Sequence, residues 1–390
     1  MQFDWTDEEN DFRSDLHRFL MQVNLGKPPK DRPGRSRWAR EWMAALFDGG
    51  YAGPGWPKQY GGMDLPFRQQ VIYQEELARA RVPHPPGNGV PMCGPTIVKY
   101  GTEAQRERFL RPMLRADELW AQGFSEPDAG SDLPSLRTTA RRDGDNYIVN
   151  GQKVWSTQAD LCDMMFALVR TGEPHSRQHG ISYLLVDMDQ PGVQVRPLRD
   201  LTGGTAFCEI FLDNVIVPVA NRVGEENEGW KIARTTLGHE RSSGALNQAA
   251  FYRRIMDELV ALARKRGVAS DPVVRQRIAA FEAQVRIMRV SAMRMLLRII
   301  EHGEPGPLAS VSRLYNTQIE QQIHELAMDL LGPDGLYDAE DPSTIEGGRW
   351  LYGYLRTRAS TIGAGTAEIQ RNTVAEHVLG LPFDPAMPPR

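Results

Sequence analysis

The feature that most restricts the fold is a run of strand-like segments confined to the middle of the chain, with long helical patterns on both sides. Residues 138–156, TTARRDGDNYIVNGQKVWS, are short alternating segments around Asp143-Gly144 and Asn150-Gly151, two dipeptides that favour tight turns between strands. MMFALVRT (164–171), ISYLLVDM (181–188), VQVRPL (193–198) and FCEIFLDNVIVP (207–218) follow, with Pro191-Gly192 as punctuation. This predicts one compact β domain. The order helices, strands, helices is not the strand–helix alternation of a doubly wound sheet. No Gly-x-Gly-x-x-Gly follows a strand, so a Rossmann dinucleotide site is not expected.

Three domains are predicted: helical over 1–120, β over 121–225, helical over 226–390. In the first, Thr6 and Glu9 have capping-box spacing, and Phe12, Leu16, Phe19, Leu20 and Val23 recur at helical intervals. Trp38, Trp42, Met43, Leu46 and Phe47 form a second stripe, and GPGWPKQYGG (53–62) interrupts the pattern. The last domain holds four helical patterns: from Gly229 to about Arg266, then 273–300, 314–332 and 366–380.

Bulk properties narrow the function. A net charge of −4 is too small to steer the chain to nucleic acid or a membrane surface, so neither partner is expected. The acidic start MQFDWTDEENDF lacks the apolar core of a secretion signal, and no run approaches the roughly 20 apolar residues of a membrane span. Cys93, Cys162 and Cys208 are odd in number and widely spaced, which fits a reducing cytoplasm rather than a disulfide framework. The histidines show no metal-site spacing, and no metal is expected.

Three segments are candidates for chemistry. WAQGFSEPDAGSDL (120–133) is crowded with small and turn-forming residues; it is either a plain interdomain connection or a loop offering N–H groups and hydroxyls to a flat polar ligand. In NGQKVWSTQAD (150–160), Trp155 is either a core aromatic or, beside Ser156 and Thr157, the wall of a ring-binding site. Glu240-Arg241 lies on a helix. A lone glutamate there is most often a solvated charge, but Leu237, Gly238, Ser242, Ser243, Gly244 and Ala245 around it suit close approach by a ligand.

These segments, with FLDNVIVP (211–218), GEENEGW (224–230) and GAGTAEIQRNTVAEHVLG (363–380), resemble in order the signatures of the acyl-CoA dehydrogenase family of flavoproteins. The resemblance spans the whole chain. It implies a helical N-terminal domain, a middle β-barrel domain and a C-terminal four-helix bundle. It also implies FAD, a CoA thioester substrate, and α,β-dehydrogenation with reduced flavin passing electrons to an electron-transfer flavoprotein or similar acceptor. By motif position, Phe124 and Ser125 would meet the pyrimidine side of the flavin, Trp155 would pack on the ring and Thr157 would sit near N5. Ser131 would contact the pantetheine arm, and Thr366 and Glu368 the adenosine of FAD. Arg266, helped by Arg277, would serve the pyrophosphate, although the family's Arg-x-x-Phe-Gly is absent and LLGPDGLY (330–337) replaces a double glycine.

Many members carry the catalytic glutamate where this chain has Ala364. A second branch carries it on the helix after the β domain, in a Glu-Arg pair that Glu240-Arg241 matches. The resemblance therefore implies Glu240 as base, with the backbone N–H of Ala364 still holding the thioester carbonyl. The missing side chain between Gly363 and Gly365 implies room for a branched or bulky acyl group, such as a steroid side chain or cyclic acid. A homodimer, homotetramer or heterotetramer is implied. Two alternatives stand beside this reading: a flavin oxidase or monooxygenase on the same fold, and a catalytically silent subunit of a mixed assembly.

Overall fold

The computed structural model describes residues 5–382, apart from 24, 27, 28, 30, 81, 83–86, 243, 244 and 303–305; the side chains of residues 239–242, 245–247, 296 and 300 also lie outside the described set. The predicted capping box opens helix α1 (Asp7–Gln22): the Glu9 N–H donates to Thr6 Oγ1 at 3.2 Å, and the Thr6 N–H returns to Glu9 Oε2 at 2.8 Å. α2 (Arg32–Asp48) starts on an Asp31 cap and buries Trp42, Met43 and Leu46 of the predicted stripe. α3 (Phe67–Ala80) follows; then a π-turn at Gly89–Cys93 runs into α4 (Gly94–Tyr100). α5 (Glu103–Arg115) begins at a second capping box, Thr102 with Gln105.

Eight strands follow: β1 (Trp120–Gly123), β2 (Thr139–Asp143), β3 (Asn146–Thr157), β4 (Met164–Arg170), β5 (Ile181–Asp187), β6 (Val193–Leu198), β7 (Phe207–Pro218) and β8 (Arg222–Val223). They form one sheet in the order β6-β7-β3-β2-β4-β5-β8, with β1 parallel to β4. Asp143-Gly144 makes the predicted hairpin, Asp143 pairing with Asn146. Asn150-Gly151 does not turn the chain: β3 runs straight through it. The register slips there, because Val149 pairs with Val215 and Gly151 with Leu212, and the extra residue sits on β7, where Asn214 takes φ +52°. Dipeptides that favour tight turns also suit bulges, since both need unusual backbone angles and side chains that cap them. Here Asn150 Oδ1 accepts from the Asn214 N–H at 2.8 Å, and a Cβ on Gly151 would lie 2.5 Å from Thr138 Oγ1.

β4 and β5 are buried along almost their whole length. Phe166, Leu168, Tyr183 and Leu185 face a core shared with Trp42 and Leu110 of the helical region and with Trp120 of β1. Met165, Ala167, Val169, Leu184 and Val186 fill the interior of the sheet with Tyr147 and Ile210. Strands with no wet face read as continuous apolar runs, which is how MMFALV and ISYLLV appear in sequence.

The chain divides into two compact units, Met1–Glu240 and Arg241–Arg390. Helix α6 (Gly229–Ser242) contributes Ile232 and Ala233 to the first core, and Thr236 Oγ1 lies 2.8 Å from Thr96 Oγ1. The single helix expected from Gly229 to about Arg266 is described as α6 and α7 (Ala245–Lys265), on either side of 243 and 244. In the second unit α7, α8 (Pro272–His302) and α9 (Leu308–Leu331) pack through Met256, Leu259, Phe281, Met288 and Ile323. α10 (Arg349–Thr357), which the periodicity did not single out, closes this core with Trp350; α11 (Ala367–His377) is the last predicted helix. Among the described residues, no helix is long and apolar enough to cross a membrane.

Candidate active site

The end of β3 departs from strand geometry in a way that exposes a large aromatic. Lys153 pairs with Ile210 and Ser156 with Cys208, so β3 spends three steps against two on β7. The extra residue lets Val154 and Trp155 both face outward, between buried Lys153 and buried Ser156. Trp155 sits at φ +61°. That conformation costs a residue with a Cβ about 1–2 kcal/mol and persists only where its surroundings fix it. They do so here. The Val154 N–H donates to the Ser125 carbonyl at 2.9 Å, the Ser156 hydroxyl to the Gln122 carbonyl at 2.8 Å, and the Gln158 N–H to the Ala206 carbonyl at 2.9 Å. The outcome is an indole 60% exposed, braced edge-on by Phe207 at 5.9 Å between ring centroids.

The bulge lies against residues 122–126, so the structure brings Phe124, Ser125, Trp155 and Thr157 together. The Phe124 ring is core, edge-on to Phe166 and Tyr183, which leaves its backbone as the part that can meet a ligand. Ser125 and Thr157 are half-buried. Among the described residues nothing accepts from or donates to either hydroxyl, and nothing accepts the Ser125 N–H. Ser131 is exposed, further along the loop. An open indole with unspent donors at its edge suits a flat heterocycle with polar margins.

Beneath this surface is an ion pair that the motif reading did not isolate. The Lys153 ammonium, with no solvent exposure, donates to Glu126 Oε1 at 2.7 Å, to the Leu168 carbonyl at 2.7 Å and to the Phe124 carbonyl at 3.3 Å. Glu126 also accepts from the N–H groups of Arg137 (2.6 Å) and Thr138 (2.9 Å). Burial pushes the Glu126 carboxyl up, but Lys153 and these donors outweigh it and hold it below the usual range. Both residues stand inside the quoted motifs; only the position of Lys153 in the strand alternation, on the same inward face as Tyr147 and Val149, hinted at the pair.

Glu240 and Arg241 lie on α6, but their side chains are outside the described residues, as are residues 243 and 244 of their neighbourhood. The backbone places position 240 one turn beyond Thr236, on the helix stripe that buries Gly229, Ile232, Ala233 and Thr236.

In the second unit, Gly363–Gly365 forms a tight turn in which Ala364 is left-handed (φ +54°) and Gly365 follows at +90°. Buried Gln370 donates to the carbonyls of Ala364 (3.2 Å) and Gly365 (3.4 Å), and Arg313 to that of Gly363 (2.6 Å). Among the described residues the Ala364 N–H has no acceptor. Thr366 caps α11, its hydroxyl accepting from the Ile369 N–H at 3.3 Å, and Glu368 is exposed and paired with Arg371 at 3.3 Å. Arg266 binds Asp334 (2.9 Å) and the Leu331 carbonyl (3.3 Å), and Arg277 binds Asp329 (2.7 Å), so each already holds a carboxylate of its own unit. Gln370, which stands inside the quoted C-terminal signature, and Arg313, far from it in sequence, hold the turn; neither role was anticipated.

Comparison with known proteins places these features in a family. Models of the acyl-CoA dehydrogenase N-terminal, middle and C-terminal domains match residues 6–117, 121–215 and 227–379. A curated relative, the acyl-CoA dehydrogenase IpdE1 of Mycobacterium tuberculosis, is 41% identical over 361 residues, 90% of this chain and 91% of its own. A solved structure described as the Tcur3481-Tcur3483 steroid ACAD is 30% identical with a TM-score of 0.85, covering 98% of this chain and 100% of that one. The ChsE4-ChsE5 complex from Mycobacterium tuberculosis is also 30% identical, with a TM-score of 0.84 over 98% of this chain and 100% of that chain.

Proposed function

The chain belongs to the acyl-CoA dehydrogenase family, and from that premise we propose that it desaturates the α,β bond of an acyl-CoA thioester carrying a bulky, steroid-type acyl group, with FAD as cofactor and Glu240 as base. The observation that carries the reading is Trp155, held open on a left-handed bulge beside the unspent donors of Ser125 and Thr157. The donor set fits a flavin: an aromatic wall for one ring face, and an N–H and hydroxyls for the heteroatoms at its rim. FAD, when bound, supplies a hydride acceptor at ring nitrogen N5.

The chain's own residues do the rest. Trp155 holds the ring face, Phe124 and Ser125 meet the pyrimidine edge, and Thr157 lies toward N5. Thr366 and Glu368 serve the adenosine, Arg266 and Arg277 the pyrophosphate, and Ser131 the pantetheine arm. An α proton beside a thioester is a very weak acid. Its removal needs a carbonyl held by fixed donors, assigned to the Ala364 N–H, and a carboxylate whose pKa is brought toward the working pH by an apolar, dry setting. Glu240 takes that proton, with Arg241 beside it. Support comes from the placement of position 240, which continues the stripe that α6 buries in its own unit.

The bulky acyl group is supported by the small Gly363–Gly365 turn, where Ala364 offers only a methyl, and by likeness to a structure described as a steroid ACAD. That structure and the ChsE4-ChsE5 complex each pair two different chains, which supports an oligomer for this one. Keeping both the ring wall and the base, it would be the catalytic subunit. An electron-transfer flavoprotein is the proposed acceptor. Three free cysteines fit a cytoplasmic setting.

The decisive experiment is anaerobic bleaching of the flavin by a steroid-side-chain CoA thioester. The wild-type chain should bleach, which excludes a silent subunit. Glu240→Gln should keep its yellow flavin and bleach about 10²–10⁴-fold more slowly. Bleaching at the wild-type rate would remove Glu240 from the mechanism.

A further inference from the structure

The buried ion pair beneath the bulge has no part in proton or hydride transfer, yet it is placed where it can govern the cofactor. The Phe124 carbonyl and the Ser125 N–H belong to one peptide unit. A trans peptide is planar, so the two groups point in opposite directions. Lys153 draws the Phe124 carbonyl inward at 3.3 Å; the Ser125 N–H is thereby turned outward, and it meets no acceptor among the described residues. Glu126, next in the chain, fixes the ammonium at 2.7 Å, and the neighbouring Ser125 carbonyl is held by the Val154 N–H. One side chain thus ties the ligand-facing peptide to the strand that carries Trp155, two residues further on.

We infer that the buried Lys153–Glu126 pair is a positioning device for the flavin, aiming the Ser125 N–H and hydroxyl at the polar edge of the ring while Lys153 anchors the strand that presents Trp155. The inference rests on the flavin site proposed above. A pair needed only for folding would be an uneconomical choice. Two charges removed from water cost several kcal/mol, and a well-packed apolar pair of similar size is often as stable. Orientation is what an apolar pair could not supply.

The test replaces both charges at once. Glu126→Gln with Lys153→Met keeps net charge and approximate volume. The variant should unfold cooperatively, near the wild-type temperature at saturating FAD. It should bind FAD about tenfold or more weakly and show shifted or broadened visible flavin bands. Wild-type affinity together with an unchanged spectrum would overturn the inference. Should the double variant not fold, Glu126→Gln alone, which is isosteric, is read the same way: at least threefold weaker FAD binding and a changed band shape support the device, and identity with wild type overturns it. Failure of the wild-type chain to bind FAD would instead strike the proposed function, so the two failures are distinguishable.

Discussion

Trp155 and Ala364, two of the residues that carry a Cβ in left-handed backbone, adopt it for opposite ends. At the β3 bulge, Trp155 (φ +61°) accepts the strain so that a large side chain stands clear of the sheet. In the Gly363–Gly365 turn, Ala364 (φ +54°) accepts it with almost no side chain to present. The supports differ accordingly. The bulge is fixed by strand pairing and three hydrogen bonds from Val154, Ser156 and Gln158. The turn is fixed by two side chains that hold its carbonyls, Gln370 just beyond it on α11 and Arg313 on α9, and the Ala364 N–H has no acceptor among the described residues. In the first the backbone serves a side chain; in the second side chains serve the backbone. If the working group at 364 is an N–H, the loss of a carboxylate there leaves the turn competent and moves the base elsewhere.

Three substitutions would break or sharpen that contrast. The largest effect is expected from Ala364→Pro, which removes the N–H and cannot adopt positive φ. Turnover should fall about 10²-fold or more, as for loss of an oxyanion donor. Steady-state kinetics at saturating FAD measures it, and near-normal kcat would mean that the turn does not hold the carbonyl. Next is Trp155→Gly. Glycine takes positive φ freely, so thermal stability should hold or rise, while FAD affinity drops about 10–100-fold through loss of ring contact. Parallel loss of stability and affinity would mean that the bulge, not the indole, is what FAD needs. The smallest is Ala364→Gly, where turnover should change less than about threefold and stability hold or gain up to about 1 kcal/mol. A large loss of activity with the fold intact would assign work to the methyl group.

Sequence patterns revealed the layered order of the chain because their physical causes are local. The capping box at Thr6 and Glu9, the Asp143-Gly144 hairpin and the apolar runs of β4 and β5 each lie within a few residues. Asn150-Gly151 misled because turn and bulge draw on the same backbone preferences, and only pairing with β7 distinguishes them. At the candidate site, motifs drew attention to Trp155, Ser125 and Thr157, but nothing local says that the tryptophan is left-handed or that Lys153 reaches the Phe124 carbonyl across 29 residues. Arg313 is 50 residues from the carbonyl it holds, and Gln370, although close to its own, is equally unmarked, because the partners are carbonyls, which every residue has.

The strand pair β4–β5 has one further consequence. Having no wet face, it cannot be lifted out along the borders that the three domain models draw. A fragment starting at residue 121 would turn Phe166, Leu168, Tyr183 and Leu185 toward water. Because the helices before residue 120 and the sheet after it share one core, recombination between relatives would have to move them as a single cassette.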